Sequence, residues 1–191
     1  MSDGELQKCA VDDNLKPFTE YIAVGSDSSL ENQLIQKSLQ ENVVKFTPND
    51  HIERFGNIEM LKQWQAKGRK LFWLIGPEND LAGIIWYGEA EFPHNLSLDE
   101  TPNETFAIRI YDGYTGKGLS NPFMRQSLRI YNDEKLKNGS KAPVIWLQTD
   151  IDNVPAIKSY TKFGYTEVFR NEKRVTMVLS TEALNSAITT S

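Results

Sequence analysis

The chain has 191 residues, 39% of them hydrophobic and 25% charged, enough for a globular core that buries roughly 70% of the unfolded surface without staples. Its 21 Lys and Arg against 26 Asp and Glu give a net charge of −5, which argues against a nucleic-acid partner bound through a basic surface. The single cysteine, Cys9, excludes an internal disulfide and suits a reducing compartment. Two histidines, His51 and His94, leave little material for a zinc site, whereas counting leaves an all-carboxylate magnesium site open.

The start, Met1 to Glu5, is acidic with no apolar run behind it, and the stretch Leu81 to Tyr87 is far too short to span a bilayer. The expectation is a cytoplasmic protein with no membrane partner. Residues 1–15 read as a loose polar segment, 16–181 as one domain, and 182–191 as a polar tail.

Within the domain, Phe18 to Val24 alternates apolar and polar like a half-buried strand. Ser28 or Ser29 could cap a helix running to Val43, and a second helix is expected over 52–66, with Lys67-Gly68 as its stop. Lys70 to Ile75 and Leu81 to Phe92 read as strands around the turn Gly76 to Asp80. A polar connector, 93–103, leads to a strand over Phe106 to Tyr111. After a Gly-rich turn comes a helix from Leu119 to about Leu136, with Pro122 in its first turn. Val144 to Gln148 is a strand, 153–163 a short helix closed by Gly164, and 165–169 and 175–179 two final strands. Two strand-helix-strand passages make the sheet mixed and the class α/β (α+β).

Two segments carry chemistry. In the first, the strand Phe106 to Tyr111 runs into Asp112-Gly113-Tyr114-Thr115-Gly116-Lys117-Gly118-Leu119-Ser120 and a helix. Outward-pointing backbone N–H groups at a helix N-terminus form an anion cradle. The spacing G-x-x-G-x-G fits neither the nucleotide P-loop nor the dinucleotide fingerprint. By itself the segment reads equally as a cradle or as an ordinary turn.

The second segment, Asn153-Val154-Pro155-Ala156-Ile157-Lys158-Ser159-Tyr160-Thr161-Lys162-Phe163-Gly164-Tyr165, matches N-x-x-A-x-x-x-Y-x-x-x-G-[FY]. A chance match at a given start is on the order of one in a million at ordinary residue frequencies. With these two segments in this order, the sequence resembles the GNAT superfamily of N-acetyltransferases. The likeness covers about Lys70 to Leu179, and more loosely from Phe18. Thr115 stands where the family has Arg or Gln, and Ser120 where it has Gly or Ala.

The resemblance implies a central mixed, mostly antiparallel sheet flanked by helices. It also implies acetyl transfer from acetyl-CoA to a primary amine by direct attack in a ternary complex, with acetyl-CoA as co-substrate and no metal. The acceptor would be a small-molecule or peptide amine, and a homodimer is left open. Thr115, Gly116, Lys117, Gly118, Leu119 and Ser120 would hold the pyrophosphate. Ile108, Arg109 and Ile110 lie on a strand that splays from its neighbour in the family and pairs with pantetheine. Asn153 would bond the pantetheine arm, or simply cap its helix. Tyr160 would be the general acid beside the sulfur, or a packed rim tyrosine.

The general base is the least defined role. Glu89, Glu91 and Glu104 are candidates, Glu89 first. Arg109 could face the acceptor or pair with a carboxylate such as Glu89. The alternative to an enzyme is a non-catalytic acyl-CoA sensor or interaction module of the same shape; a nucleotide-phosphate binder is the more distant one.

Overall fold

A computed structural model describes residues 6–189. Eight strands form the sheet: β1 (Gln7–Ala10), β2 (Tyr21–Val24), β3 (Lys70–Ile75), β4 (Leu81–Glu89), β5 (Glu104–Ile110), β6 (Ile145–Asp150), β7 (Thr166–Arg170) and β8 (Arg174–Leu179). Their spatial order is β1-β2-β3-β4-β5-β6-β8-β7. The pairs β1–β2, β2–β3, β6–β8 and β7–β8 are antiparallel, and β5–β6 is parallel. Six helices accompany them: α1 (Ser28–Lys37), α2 (Glu41–Phe46), α3 (Ile58–Gln65), α4 (Ser120–Lys137), α5 (Val154–Phe163) and α6 (Thr181–Thr189). The expected mixed, mostly antiparallel sheet flanked by helices is what the chain forms.

Contacts divide the chain into two compact units. The first takes in 1–86 and 108–124, the second 87–107 and 125–191. In the first, β3 and the start of β4 read apolar on both faces (Leu71 to Ile75, then Leu81, Ala82, Ile84, Ile85), and all are buried. That continuous pattern marks a strand covered on both sides. Leu30, Leu34, Leu61 and Trp64 supply the helical side of this core. Asp27 caps α1 by accepting from the Leu30 N–H at 2.9 Å, and Asn57 caps α3 through the Met60 N–H at 2.9 Å. Each such cap contributes about 1 kcal/mol.

The two long helices expected in this unit are both broken. The first stops at Lys37. The Ser38 hydroxyl donates back to the Ile35 carbonyl at 2.7 Å, and Gln40 takes an extended backbone. That frees the Gln40 side chain to accept from the Asp112 N–H at 3.0 Å. The second breaks at Phe55-Gly56-Asn57. Asp50–Arg54 forms a wide π-type turn closed by the Phe55 N–H onto Asp50, and Phe55 is fully buried. A Cβ at Gly56 would stand 2.5 Å from the His51 carbonyl, so only glycine passes there.

Both ends of the chain differ from expectation. Of the segment expected to be loose, 1–5 lies outside the described residues, and Gln7–Ala10 is β1 on the sheet edge. The tail expected to lack structure is α6, with 190–191 outside the described residues. Ser180 caps it through the Ala183 N–H, Leu184 is fully buried, and the Ala187 carbonyl accepts from Arg125 at 3.1 Å. Strand β4 ends at Glu89 rather than Phe92, and β5 begins at Glu104. No helix among the described residues is long and apolar enough to cross a membrane.

Candidate functional site

The Gly-rich turn lies in the first unit. Gly113, Gly116 and Gly118 have φ of 86°, 77° and 74°, where a β-carbon is strained, and no atom lies within 4 Å of where that carbon would be. These glycines therefore serve backbone shape, with open space in front of them. Thr115 to Gly118 are exposed, while Tyr111 and Leu119 on either side are buried anchors. The N–H groups of Gly116, Lys117, Gly118 and Leu119 donate to nothing among the described residues. The turn is fixed from behind by Tyr114, whose hydroxyl sits 2.1 Å from where a Gly76 β-carbon would be. Lys117 Nζ stands 5.1 Å above the rings of both Phe18 and Tyr114. An exposed row of unused N–H groups at the head of α4, with a lysine beside it, is suited to an anion.

Strand β5 approaches this turn with one edge incompletely used. Its parallel ladder with β6 has two rungs, Glu104↔Ile145 and Thr105↔Trp146, although the strands run on to Ile110 and Asp150. On the other edge the Tyr111 N–H donates to the Ala82 carbonyl at 2.9 Å. Backbone groups alternate in direction along a strand, so those of Ile108 and Ile110 turn away from β4. Residues Ala107 to Ile110 are only half-buried despite their place inside the sheet.

Arg109 is paired with a carboxylate, that of Asp50. Its Nε and Nη2 donate to Asp50 at 2.6 and 3.1 Å, and its Nη1 donates to the Ile108 carbonyl at 2.7 Å. Arg54 adds a second guanidinium on Asp50 at 2.8 Å. Asp50 is 1% exposed. Burial pushes its pKa up, but the charges and hydrogen bonds of Arg109 and Arg54 outweigh burial and hold it below the usual aspartate value. Burial raises the Tyr111 hydroxyl far above its ordinary range, and the Asp50 charge adds to the rise.

The second unit holds Tyr160 and Asn153. Asn153 caps α5, its side chain accepting from the Ala156 N–H at 3.4 Å, and Gly164 ends the helix with φ of 121°. Tyr160 is 8% exposed, edge-on to Phe106 at 6.0 Å and to Tyr165 at 5.8 Å. Phe106 also meets Tyr87 at 5.4 Å, and Tyr87 stacks on Tyr131 at 4.7 Å. Below this aromatic row the buried Glu104 accepts from the Tyr131 hydroxyl at 2.8 Å and from Lys135 Nζ at 2.5 Å. Lys135 is shared with Glu89 at 3.5 Å, whose side chain is 84% exposed.

The connector after β4 lines an open groove of about 940 Å³ between Glu89 and Asn103. His94 is fixed in it. Its Nε2 is 2.8 Å from the buried Thr176 hydroxyl, and its ring lies 4.1 Å from that of Phe169.

No protein-family model and no curated protein matches the sequence. Solved structures do match the fold. An acetyltransferase of the GNAT family from Bacillus anthracis aligns with a TM-score of 0.62 at 15% identity, over 86% of this chain and 97% of that one. The chain has the GNAT fold. Spermidine N-acetyltransferase from Vibrio cholerae, in complex with CoA and spermine, aligns at a TM-score of 0.58 and 17% identity, over 94% of this chain and 98% of that one. AAC(6')-Ib, in complex with ribostamycin and coenzyme A, aligns at 0.65 and 13%, over 89% and 98%.

Within this GNAT fold the two-rung β5–β6 ladder falls on the strand expected to splay. Two residues of these ion-pair clusters escaped the sequence reading. Asp50 carries no local signal, because it meets Arg109 from 59 positions away. Lys135 did carry one. Ser127, Tyr131 and Lys135 repeat every four residues along α4, which puts them on one helical face. All three meet Tyr87 or Glu104.

Proposed function

We propose that this protein is an N-acetyltransferase that moves the acetyl group of acetyl-CoA to a primary amine by direct attack. The open N–H row from Gly116 to Leu119, on a turn held by positive-φ glycines, carries this reading. Thr115, Lys117 and Ser120 add hydroxyls and a charge for the cofactor's pyrophosphate. The Ile108 N–H and the backbone groups of Ile110 face pantetheine, the Ile108 carbonyl being held by Arg109, and the Asn153 amide nitrogen has no partner among the described residues while its oxygen caps α5. Arg109 supports the strand through Asp50 and not by direct contact with the cofactor.

An alkyl amine, with a pKa near 10.4, must lose a proton before it attacks the thioester. Glu89, solvated at the end of β4, passes that proton to water. The sulfur then leaves as a thiol with the proton of Tyr160, and the proton that the nitrogen sheds as it becomes an amide restores the Tyr160 hydroxyl through solvent. Tyr160 suits that role because burial among Phe106 and Tyr165 excludes bulk water from its ring. Two solved GNAT-fold structures are complexes with spermine and with ribostamycin. Both are amines, which supports a small amine acceptor.

Thermal unfolding with acetyl-CoA, CoA or ATP tests the reading. Acetyl-CoA at about 100 times its dissociation constant should add roughly 2.7 kcal/mol, or about 5–10 °C. ATP should add nothing. Gly118→Asn is the matched variant, since asparagine tolerates positive φ while filling the open space. It should melt near the wild type and lose the acetyl-CoA shift. Wild type that melts cooperatively but ignores both CoA species would overturn the proposal. A shift without any transfer to an amine panel, in a protein where Tyr160→Phe changes nothing, would leave a binding module.

A further inference from the structure

The Gly-rich turn has little of its own to hold it in shape. Gly113, Gly116 and Gly118 lie at positive φ, and glycine has more backbone freedom to lose than any other residue. Thr115 to Gly118 are exposed and make no hydrogen bond to another segment among the described residues. Two tethers lie just before them. The Asp112 N–H donates to the Gln40 side chain at 3.0 Å. Tyr114 reaches back to the turn between β3 and β4.

That second tether is closely fitted. Gly76 is buried, and a β-carbon there would stand 2.1 Å from the Tyr114 hydroxyl oxygen and 2.7 Å from Cζ. The phenol therefore fills the space a side chain would take. Its hydroxyl donates to Asp80, whose carboxylate is paired with Lys37 at 3.0 Å. The seat is firm. The Gly76 N–H donates to the Asp80 carbonyl at 2.8 Å. Glu78 and Asn79 hold positive φ within the turn. Gln33 donates to the Asn79 carbonyl at 3.0 Å and accepts from the Leu81 N–H at 2.8 Å, and the Tyr21 hydroxyl donates to the Asn79 side chain. The Tyr114 ring also has a second use. Lys117 Nζ stands 5.1 Å from it and 5.1 Å from the Phe18 ring, and makes no ion pair among the described residues. A lysine held by ring faces keeps its whole charge for an incoming anion, whereas a carboxylate partner would neutralise it.

We infer that Tyr114 is a positioning residue for the phosphate end of the cofactor, its hydroxyl fixing the turn through Asp80 and its ring holding Lys117 unpaired beside the open N–H row. The inference rests on the acetyltransferase reading and names what prepares that site before the cofactor arrives. A glycine-rich turn that its ligand had to order would bind more weakly. The phenol in the notch at Gly76 orders it in advance.

The test compares CoA with pantetheine, which shares the thiol arm and lacks the phosphates. Calorimetry gives the CoA affinity, and ligand-observed NMR the weaker pantetheine affinity. Tyr114→Phe keeps the ring and loses the bond to Asp80, and should weaken CoA about threefold to fivefold. Tyr114→Ala also loses the seat of Lys117 and should weaken CoA about tenfold to thirtyfold, with a smaller salt dependence. Pantetheine should bind every variant as it binds the wild type. In a Lys117→Gln background, Tyr114→Phe and Tyr114→Ala should bind CoA alike, because the ring then has no ammonium to seat. Gly76→Ala puts a carbon where the phenol lies and should match Tyr114→Ala.

Wild-type CoA affinity in Tyr114→Ala or Gly76→Ala would overturn the inference. So would an equal loss of CoA and pantetheine, the mark of a general disturbance of the fold. If the alanine variants do not fold, Tyr114→Phe decides: a loss confined to CoA supports the inference, and an unchanged affinity overturns it. The acetyl-CoA shift of the wild type is measured separately. Its absence removes the acetyltransferase reading and the inference with it; its presence beside an indifferent Tyr114 removes the inference alone.

Discussion

Each unit buries one carboxylate at 1% exposure, Asp50 in the first and Glu104 in the second, and the two are neutralised differently. Asp50 takes a bidentate guanidinium from Arg109 and a second from Arg54. Glu104 takes one ammonium from Lys135, shared with the exposed Glu89, and one phenol from Tyr131. A guanidinium fork fixes direction as well as charge, whereas an ammonium is a point charge that can be divided between partners. The first arrangement locks a turn onto a strand. The second links a buried carboxylate to one at the rim of the groove after β4.

Breaking the Asp50 cluster should have the largest effect. Asp50→Asn leaves two guanidiniums around a neutral amide and should cost about 3–5 kcal/mol, read as a fall in the urea midpoint at unchanged slope. The same pair predicts acid sensitivity. A carboxylate held below its ordinary value stabilises the fold above that value, and this is lost as pH falls through the lower, folded-state value. The stability difference between wild type and Asp50→Asn should therefore be constant above about pH 5 and shrink below pH 3.8.

Lys135→Met should cost less, about 2–3 kcal/mol, because the Tyr131 hydroxyl still donates to Glu104 and water reaches the part-exposed lysine site. Its pH dependence has the opposite sense. Burial lowers the Lys135 pKa, but Glu104 and Glu89 outweigh it and hold the amine above 10.5. Its contribution is full below 10.5 and is lost as pH rises through the higher folded-state value. Denaturation midpoints of wild type and Lys135→Met should thus converge at the alkaline end. A common pH response of the two clusters would erase the distinction between them. Tyr131→Phe should be the mildest, about 1–2 kcal/mol for one hydrogen bond to a charged acceptor.

The sequence was most legible where local rules and packing agreed. Helix α5 combines an Asn cap, an early proline and a terminal glycine, and its bounds fall within a residue of expectation. The Gly-rich turn was legible for the same reason, since positive φ admits few residues but glycine. Legibility failed where a distant partner decided. Nothing near Ser38 announces a helix end; Gln40 leaves the helix to cap Asp112, 72 positions on. Arg109 stood out as a charge in an apolar strand, but its partner Asp50 lies in a turn created by the burial of Phe55. Helix α6 was missed because its amphipathic signal rests on one fully buried residue, Leu184, among small polar ones. Of the candidate site, the cradle and Tyr160 were read from spacing. The anchoring of His94 was not, because it depends on Thr176 and Phe169, more than 70 positions further along the chain.

The outer strands have a consequence for behaviour at high concentration. The last strand in sequence, β8, is enclosed between β6 and β7, so the exposed margins are β1 and β7. A naked margin can recruit strands from other molecules and seed aggregates. Strand β1 is four residues long and carries Lys8, packed over Tyr21. Strand β7 is interrupted by an irregularity between Glu167 and Phe169, and carries the exposed Glu167–Arg170 pair. Short length, charge and a broken register each discourage strand addition. The sheet should therefore remain colloidally stable, and a homodimer, if one forms, would use another face.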